Sequence, residues 1–156
     1  MQQQPSSRTC FLCGQENPIS LKLVWFNDDE AQKVRADLTV SEYYNGYPGV
    51  VHGGVVAAIL DETAGRALML DGNMDELTVT SKMEVKYRKP TPTNVPLEAV
   101  GWIIRRDKSR AWVGAEIRLA DGTVTAKCKA TVIKTPPGII ETWEQEKVYW
   151  KVYPND

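Results

Sequence analysis

Apolar and polar residues alternate along four segments in the second half of the chain, and this period of two predicts half-buried β-strands. The predicted strands span residues 78–87, 97–106, 110–120 and 124–133. In the first of them, the alternation assigns one face to Val79, Ser81, Met83, Val85 and Tyr87. An earlier hairpin is predicted from strands over 21–26 and 31–40. The chain should therefore contain a largely antiparallel sheet with one apolar face.

Residues 53–70 are apolar almost all round a helical projection, which predicts one long buried helix between the two groups of strands. A loop rich in Gly and Pro leads into this helix, and Asp71-Gly72 ends it. An antiparallel sheet and a helix of this kind bury their apolar surfaces if the sheet packs around the helix. The predicted fold class is α+β, with an antiparallel sheet wrapped round one central helix.

The predicted helix carries polar groups suited to chemistry. At its N-terminus, the amides of Gly53 and Gly54 have little side-chain bulk around them, so a ligand oxygen could approach. Asp61 lies in the third turn among small residues, where an ionised carboxylate needs a partner or a use. Amide donors and a carboxylate on one helix suggest acyl chemistry. Gly53 and Asp61 are about 12 Å apart along the helix, so both can act on one carbonyl only if they come from different subunits.

Asp61 is followed by a second acid, Glu62, whose partner is easier to predict. Glu62 and Arg66 stand four residues apart, which favours an ion pair on the exposed side of the helix. Asp61 projects about 100° away from Glu62. It is either a reactive group or a carboxylate satisfied by backbone donors, and the sequence leaves both interpretations open.

The segment His52-Gly53-Gly54, with an acid nine residues after the histidine, resembles the hotdog-fold acyl-CoA thioesterases, specifically their PaaI-like, phenylacetate-pathway branch. The resemblance extends over residues 21–134. It implies hydrolysis of acyl-CoA thioesters to free acid and CoA, without a cofactor. The alternative is a non-catalytic acyl-CoA binding protein of the same fold. Dehydratase chemistry is disfavoured, because those relatives pair a His with an acid in a different arrangement.

The resemblance also implies roles for individual residues. The Gly53 amide would bind the thioester oxygen, and Asp61 of a partner subunit would act as general base or nucleophile. Asn45 would position the thioester or a water molecule. His52 would assist polarisation or shape the loop, or it would only cap the helix. The residues expected to contact substrate are Gly54, Thr80, Arg88 and Lys89.

Thr80 is expected near the acid, whereas Arg88 and Lys89 follow a strand and offer cations to the CoA phosphates. Arg105 and Arg106 are further candidates, and ordinary solvated strand ends explain them at least as well. The active site would lie between the subunits of a homodimer. Homotetramers of this fold assemble through sheet faces in more than one way, so dimer and tetramer both stay open.

Composition narrows the class of protein. The 156 residues are 42% hydrophobic and 25% charged, as in globular proteins, and a net charge of −1 provides no basic footprint for nucleic acid. No apolar run is long enough to cross a membrane, and the N-terminus lacks signal-peptide features, so a cytoplasmic location is expected. The single histidine excludes a His-rich metal site within one chain, and no nucleophile elbow supports a Ser-His-Asp triad.

The sequence divides into an N-terminal segment over 1–20, the thioesterase domain over 21–134 and a tail over 135–156. Residues 1–9 are polar and are expected to be disordered. Cys10 and Cys13 form half of a zinc-type site, and the other half is missing, so no metal site is predicted. A metal shared between subunits, a redox pair and two free thiols stay open. Cys128 is expected to be a small core residue.

Overall fold

Seven antiparallel strands form one sheet against a single long helix in the computed structural model, which describes residues 1–74 and 76–154. The elements are β1 (Gln2–Gln3), β2 (Phe26–Asp28), β3 (Lys33–Leu38), α1 (Gly53–Arg66), β4 (Thr78–Tyr87), β5 (Leu97–Arg106), β6 (Arg110–Leu119), β7 (Val124–Lys134) and α2 (Pro137–Glu146). Short 3₁₀ turns occupy Glu42–Tyr44, Ala67–Asp71 and Lys147–Tyr149. The strand order is β1-β2-β3-β5-β6-β7-β4. The predicted α+β class is confirmed.

The core lies between α1 and one face of the sheet, where α1 contacts β3, β4, β5, β6 and β7. Val56, Ile59 and Leu60 are buried on the sheet side of the helix, and each such side chain contributes about 1.5–3 kcal/mol when fully buried. The alternation predicted for the last two strands is confirmed over residues 111–117 and 126–132, and a shift in the register between β6 and β7 interrupts it at Thr125. The buried positions there are Ala111, Val113, Ala115, Ile117, Ala126, Cys128, Ala130 and Val132.

The helix approaches the sheet most closely at Gly101 on β5. A Cβ at this position would lie 2.4 Å from the Thr63 carbonyl oxygen, which is far inside van der Waals contact. The absence of a side chain at Gly101 therefore lets the third turn of α1 rest against β5. This contact fixes the depth of the helix, and with it the positions of the groups on its outer side.

The strand β4 forms one edge of the sheet, and its alternation is not regular. The register against β7 shifts between Thr80 and Lys82, which marks a β-bulge. The extra residue at the bulge changes which positions along β4 point towards α1. Thr80 and Met83 therefore both face the helix, and Ser81 is exposed. The prediction that Val79, Ser81, Met83, Val85 and Tyr87 share one face was therefore wrong for Val79 and Ser81. A β-bulge leaves no clear sign in the hydrophobic pattern.

The boundaries of the first hairpin also differ from the prediction. The first strand spans 26–28 rather than 21–26, and the second spans 33–38 rather than 31–40. Residues 21–25 are not part of the sheet because their backbone pairs elsewhere: the amides of Leu21 and Leu23 donate to the carbonyls of Phe11 and Leu12. The predicted helix is nearly right, since α1 continues as a 3₁₀ turn and ends at Gly72 with φ of +85°.

The N-terminal segment is folded, so the expectation of disorder over residues 1–9 was wrong. Gln2 and Gln3 pair with β2, and Gln4 is fully buried. The Gln4 amide donates to Asn27 Oδ1 at 2.7 Å and to the Arg66 carbonyl at 3.0 Å. These polar side chains are ordered because they satisfy polar groups buried beneath them, which a search for apolar periodicity does not detect.

The C-terminal residues return to the N-terminal segment. Ser6 pairs with Lys151, Arg8 forms an ion pair with Glu146 at 2.6 Å, and Trp150 Nε1 donates to the Met74 carbonyl at 2.8 Å. The tail predicted over 135–156 is described as far as residue 154, and its last two residues lie outside the described chain. Within residues 1–74 and 76–154, no helix combines the length and apolar character needed to span a membrane.

Candidate functional site

The N-terminus of α1 presents a backbone amide that is free to bind a ligand. His52 is the N-cap, and its Nδ1 accepts a hydrogen bond from the Gly54 amide at 2.9 Å. The Gly53 amide donates no hydrogen bond within the described part of the chain. On the other side of the same residue, the Tyr87 hydroxyl donates to the Gly53 carbonyl at 2.7 Å. The first turn of α1 is thus held at two points, and the Gly53 amide keeps no hydrogen-bond partner among the described residues.

The loop before the helix holds Asn45 beside the residues that lead into α1. Asn45 pairs with Val51 in an isolated bridge, and the His52 amide donates to the Tyr44 carbonyl at 2.9 Å. The Asn45 Oδ1 atom is buried and has no hydrogen-bond partner among the described residues. Unsatisfied buried acceptors are uncommon in folded proteins. This one lies beside the helix cap, where a ligand or a partner chain could donate to it.

The carboxylate of Asp61 lies two turns further along α1, at the mouth of a cleft. Asp61 is half-buried, and the Thr80 hydroxyl donates to its Oδ1 at 2.6 Å. The contact expected between Thr80 and the acid is present, and the bulge in β4 accounts for it. The cleft has a volume of about 440 Å³ and runs between α1 and the start of β4. Gly65 and Val79 are among the residues that line it.

The Gly53 amide and the Asp61 carboxylate lie far apart within one chain. Gly53 and Asp61 belong to the same uninterrupted helix, so about 12 Å of helix axis separates their backbones. The amide, Asn45 and His52 are together at one end of α1, and Asp61 and Thr80 are together further along. One chain therefore holds an amide donor and a carboxylate that do not meet.

Glu62 is committed to a different interaction. Its Oε1 accepts from Arg66 Nε at 2.9 Å, so the predicted pairing is confirmed. The predicted location was wrong, because Arg66 is only 2% exposed. The guanidinium lies 4.2 Å from the ring of Trp25 and donates to the Pro5 carbonyl at 2.8 Å. The folded N-terminal segment covers this arginine, and that segment was expected to be disordered.

The candidate phosphate-binding cations fall into two groups. Arg88 and Lys89 are exposed and form no ion pair within the described residues, and both of their amides donate to the Thr125 carbonyl. Arg106 forms an ion pair with Glu76, and Arg105 stacks on the ring of Trp112 at 3.7 Å. The first pair is therefore free to meet a phosphate, and Arg105 and Arg106 already have partners.

Tyr87 was not among the residues singled out from the sequence. It ends β4, its side chain is 56% exposed, and its hydroxyl holds the Gly53 carbonyl. The alternation along the strand assigned it to a face, but no local signal connects it with the start of a helix thirty-four residues earlier. The contact follows from the fold alone.

Comparison with known proteins identifies the family of the chain and its relatives. The model of the thioesterase superfamily matches residues 48–126, from the loop before α1 into β7. An acyl-coenzyme A thioesterase of Rattus norvegicus, THEM4, is 23% identical over 137 residues, which cover 87% of this chain and 58% of the relative. The chain spans about half the length of the curated THEM4 relatives it matches.

Solved structures share the fold. The thioesterase superfamily protein RHA08564 is 29% identical with a TM-score of 0.74, over 81% of this chain and 61% of that one. The PaaI protein of the E. coli phenylacetic acid degradation operon has a TM-score of 0.59 at 17% identity, over 65% of this chain and 76% of that one. The predicted hotdog fold is thereby confirmed. Since the superfamily model covers half of the sequence, including the whole of α1, the chain belongs to the thioesterase superfamily.

Proposed function

We propose that the protein hydrolyses acyl-CoA thioesters to a free acid and CoA, in an active site formed between two copies of the chain. The observation that carries the proposal is the pairing of a free Gly53 amide with a hydrogen-bonded carboxylate, Asp61, on one helix of a thioesterase superfamily member. The name of the rat relative, an acyl-coenzyme A thioesterase, supports the choice of substrate.

The Gly53 amide would bind the thioester oxygen and stabilise the oxyanion that forms when the carbonyl carbon is attacked. The donor is fixed in advance, because His52 caps the helix and Tyr87 holds the Gly53 carbonyl. Its position at the positive end of the helix dipole favours developing negative charge. Asn45 would complete this half of the site, with its unpartnered side-chain oxygen accepting from a water molecule or from the substrate.

Asp61 would supply the attacking group. Thr80 donates to Oδ1, which leaves Oδ2 to take a proton from water as a general base or to attack the acyl carbon directly. The two mechanisms differ in whether an acyl-enzyme anhydride forms.

Because the two groups lie about 12 Å apart along α1, the amide of one chain would act with the acid of another. The chain offers a surface for this pairing. Ala57 on α1 is half-exposed, Val55 and Ala58 are only partly covered by the core, and β4 is a ten-residue edge strand. An edge strand of this length has unpaired backbone groups that favour pairing with another chain. A homodimer is therefore the minimal active unit, and a homotetramer is compatible with it.

Arg88 and Lys89 would bind the phosphates of CoA, since they are exposed cations at the end of β4. Lys89 follows Tyr87 by two residues, so these cations lie at the same end of β4 as the Gly53 amide. Substrate would then extend from the phosphates towards the thioester carbonyl at the start of α1.

The test separates the two halves of the site. Gly53→Pro removes the amide hydrogen at the first helical position, where proline is favoured, and the extended backbone of His52 suits a following proline. Gly53→Ala keeps the amide and is its matched control, because a Cβ there makes ordinary contacts of 3.6 Å with Tyr87. We expect Gly53→Pro to lower kcat about 10²–10³-fold, as for loss of one oxyanion donor, and Gly53→Ala to change it little.

Asp61→Asn should abolish turnover of a panel of acyl-CoAs while the fold persists, and Asp37→Asn, at an exposed acid on β3, should not. Mixing Asp61→Asn chains with Gly53→Pro chains should restore about a quarter of wild-type activity, because half of the dimers are mixed and each mixed dimer holds one intact site. No recovery on mixing would place the site within one chain. Acyl-CoA binding without any turnover would identify a binding protein instead.

A further inference from the structure

Two cysteines and an acid converge where the N-terminal segment meets α1, and the acid, Glu62, lines the same cleft as Asp61. The ligand atoms of Cys10, Cys13 and Glu62 all lie within 4.8 Å of one another. Among residues 1–74 and 76–154, this is the one group of three or more His, Cys, Asp or Glu side chains arranged in this way. The sequence alone indicated only the cysteine pair, because Glu62 is distant in sequence and reaches the cysteines only in the folded chain.

The turn that carries the cysteines directs backbone donors at both sulfur atoms. The Leu12 amide donates to Cys10 Sγ at 3.3 Å, and the Ser7 amide donates to Cys13 Sγ at 3.4 Å. Gly14 closes the turn by donating to the Cys10 carbonyl at 2.8 Å, and a Cβ at Gly14 would lie 2.3 Å from that oxygen. The hydrogen bond between the two thiols lowers the pKa of Cys13 and raises that of Cys10, and the Ser7 amide adds to the lowering at Cys13.

Arg66 completes the charge balance of the cluster. This buried guanidinium donates to Cys13 Sγ at 3.2 Å through Nη2 and to Glu62 Oε1 at 2.9 Å through Nε. A divalent cation bound by two thiolates and one carboxylate would leave one net negative charge, and the guanidinium cancels it. The arginine therefore does not oppose a bound cation, and it holds two of the three ligands in position.

We propose that Cys10 Sγ, Cys13 Sγ and the Glu62 carboxylate bind one Zn²⁺ ion per chain. Two thiolates with one carboxylate suit zinc, whereas magnesium and calcium prefer oxygen ligands throughout. Three protein ligands leave the fourth tetrahedral position for water, on the side where Cys10 is half-exposed. The proposal rests on the cluster alone and does not depend on the thioesterase function.

The ion would fasten the N-terminal segment to the helix that carries Asp61. Cys10 and Cys13 belong to the segment whose turn pairs with residues 21–23, and Glu62 belongs to α1. Zinc would therefore link two parts of the chain that are about fifty residues apart in sequence. When the ion is removed, the N-terminal segment should unfold more easily than the central strands of the sheet.

The experiment measures metal content in the 156-residue chain. Protein purified under reducing conditions is incubated with Zn²⁺, desalted and analysed by mass spectrometry for metals, and a second sample is titrated with Co²⁺. We expect one zinc per chain, and the strong near-ultraviolet absorption of thiolate-bound tetrahedral cobalt. Cys10→Ser should lose both signals. Cys128→Ala, which removes a buried thiol outside the cluster, should keep both.

Loss of a residue that only hydrogen-bonds to a metal ligand typically lowers metal affinity about 10–100-fold. Glu62→Gln removes a proposed ligand and should lower zinc affinity by more than that. Circular dichroism should verify that the variant is folded. Three results would overturn the proposal: no zinc retained by the wild type, equal zinc in Cys10→Ser, or full affinity in Glu62→Gln. A Cys10–Cys13 disulfide formed without any metal uptake would instead identify a redox pair.

Discussion

His52 has two possible roles in this site, and one pair of substitutions separates them. The structure gives it a definite contact, since its Nδ1 accepts from the Gly54 amide at 2.9 Å as the N-cap of α1. The alternative is that the imidazole polarises the substrate carbonyl. His52→Ala removes both functions. His52→Asn restores a cap, because asparagine is among the best N-cap residues, but its short side chain cannot take the place of the imidazole at a substrate.

The expected magnitude follows from the cap. Replacing an N-cap by alanine costs typically about 1 kcal/mol, and for a chain of this length that lowers Tm by about 2–4 °C. The Gly53 amide belongs to the same first turn, so fraying displaces the proposed oxyanion donor. A loss of about 1 kcal/mol in transition-state binding corresponds to roughly a fivefold decrease in kcat. His52→Asn should recover both Tm and kcat.

Thermal unfolding and single-substrate kinetics on the same preparations provide the assay. If His52→Asn is no more stable than His52→Ala, the cap does not contribute what its geometry indicates. If His52→Asn recovers Tm but its kcat stays 10²-fold or more below wild type, the imidazole acts on the substrate, since a loss of that size is typical of a missing transition-state contact. Either result would refute the structural role assigned to His52.

Two further substitutions test the contacts that hold Asp61 and α1 in place. Thr80→Val removes the hydrogen bond to Asp61 and should lower kcat about 10–100-fold, because hydrogen bonds to charged groups contribute about 1.5–3 kcal/mol. Thr80→Ser keeps the hydroxyl and should retain most of the rate. An equal loss of kcat in both variants would mean that the shape of the side chain matters rather than its hydroxyl. Gly101→Ala places a Cβ 2.4 Å from the Thr63 carbonyl oxygen and should destabilise the fold by about 1–3 kcal/mol in denaturant unfolding. The matched control Gly138→Ala, with nothing within 4 Å, should not, and equal midpoints would show that α1 can shift without cost.

Much of the sheet was predictable because burial and the period of two agree there. The strands β6 and β7 lie inside the sheet, with one face on α1, so their small apolar residues alternate regularly over residues 111–117 and 126–132. The edge strand β4 has fewer buried neighbours, and the bulge at Ser81 shifts its pattern. A local pattern reports which face is buried, but it does not report a shift in pairing that only the partner strand defines.

The candidate site was predictable only in part, for a related reason. Gly53 and Asp61 are on one helix and His52 is its N-cap, so their relative positions could be predicted from their spacing in the sequence. Tyr87 and the bulged position of Thr80 depend on β4, and the burial of Arg66 depends on residues 4–13. Each of these contacts joins segments that are distant in sequence, and no local propensity encodes them.

The two consecutive acids of α1 have different proposed functions, and the structure gives each its own partner. Asp61 and Glu62 project about 100° apart, and the fold gives them different surroundings: the first meets a hydroxyl at the open cleft, and the second meets a buried guanidinium. Glu62 is therefore a poor substitute for Asp61 as base or nucleophile, because its carboxylate already pairs with Arg66, whose buried guanidinium would lose a partner. Residual activity in Asp61→Asn would accordingly indicate water held by Thr80 or Asn45, and Glu62→Gln would reveal itself by loss of stability and of the proposed zinc rather than of thioester hydrolysis.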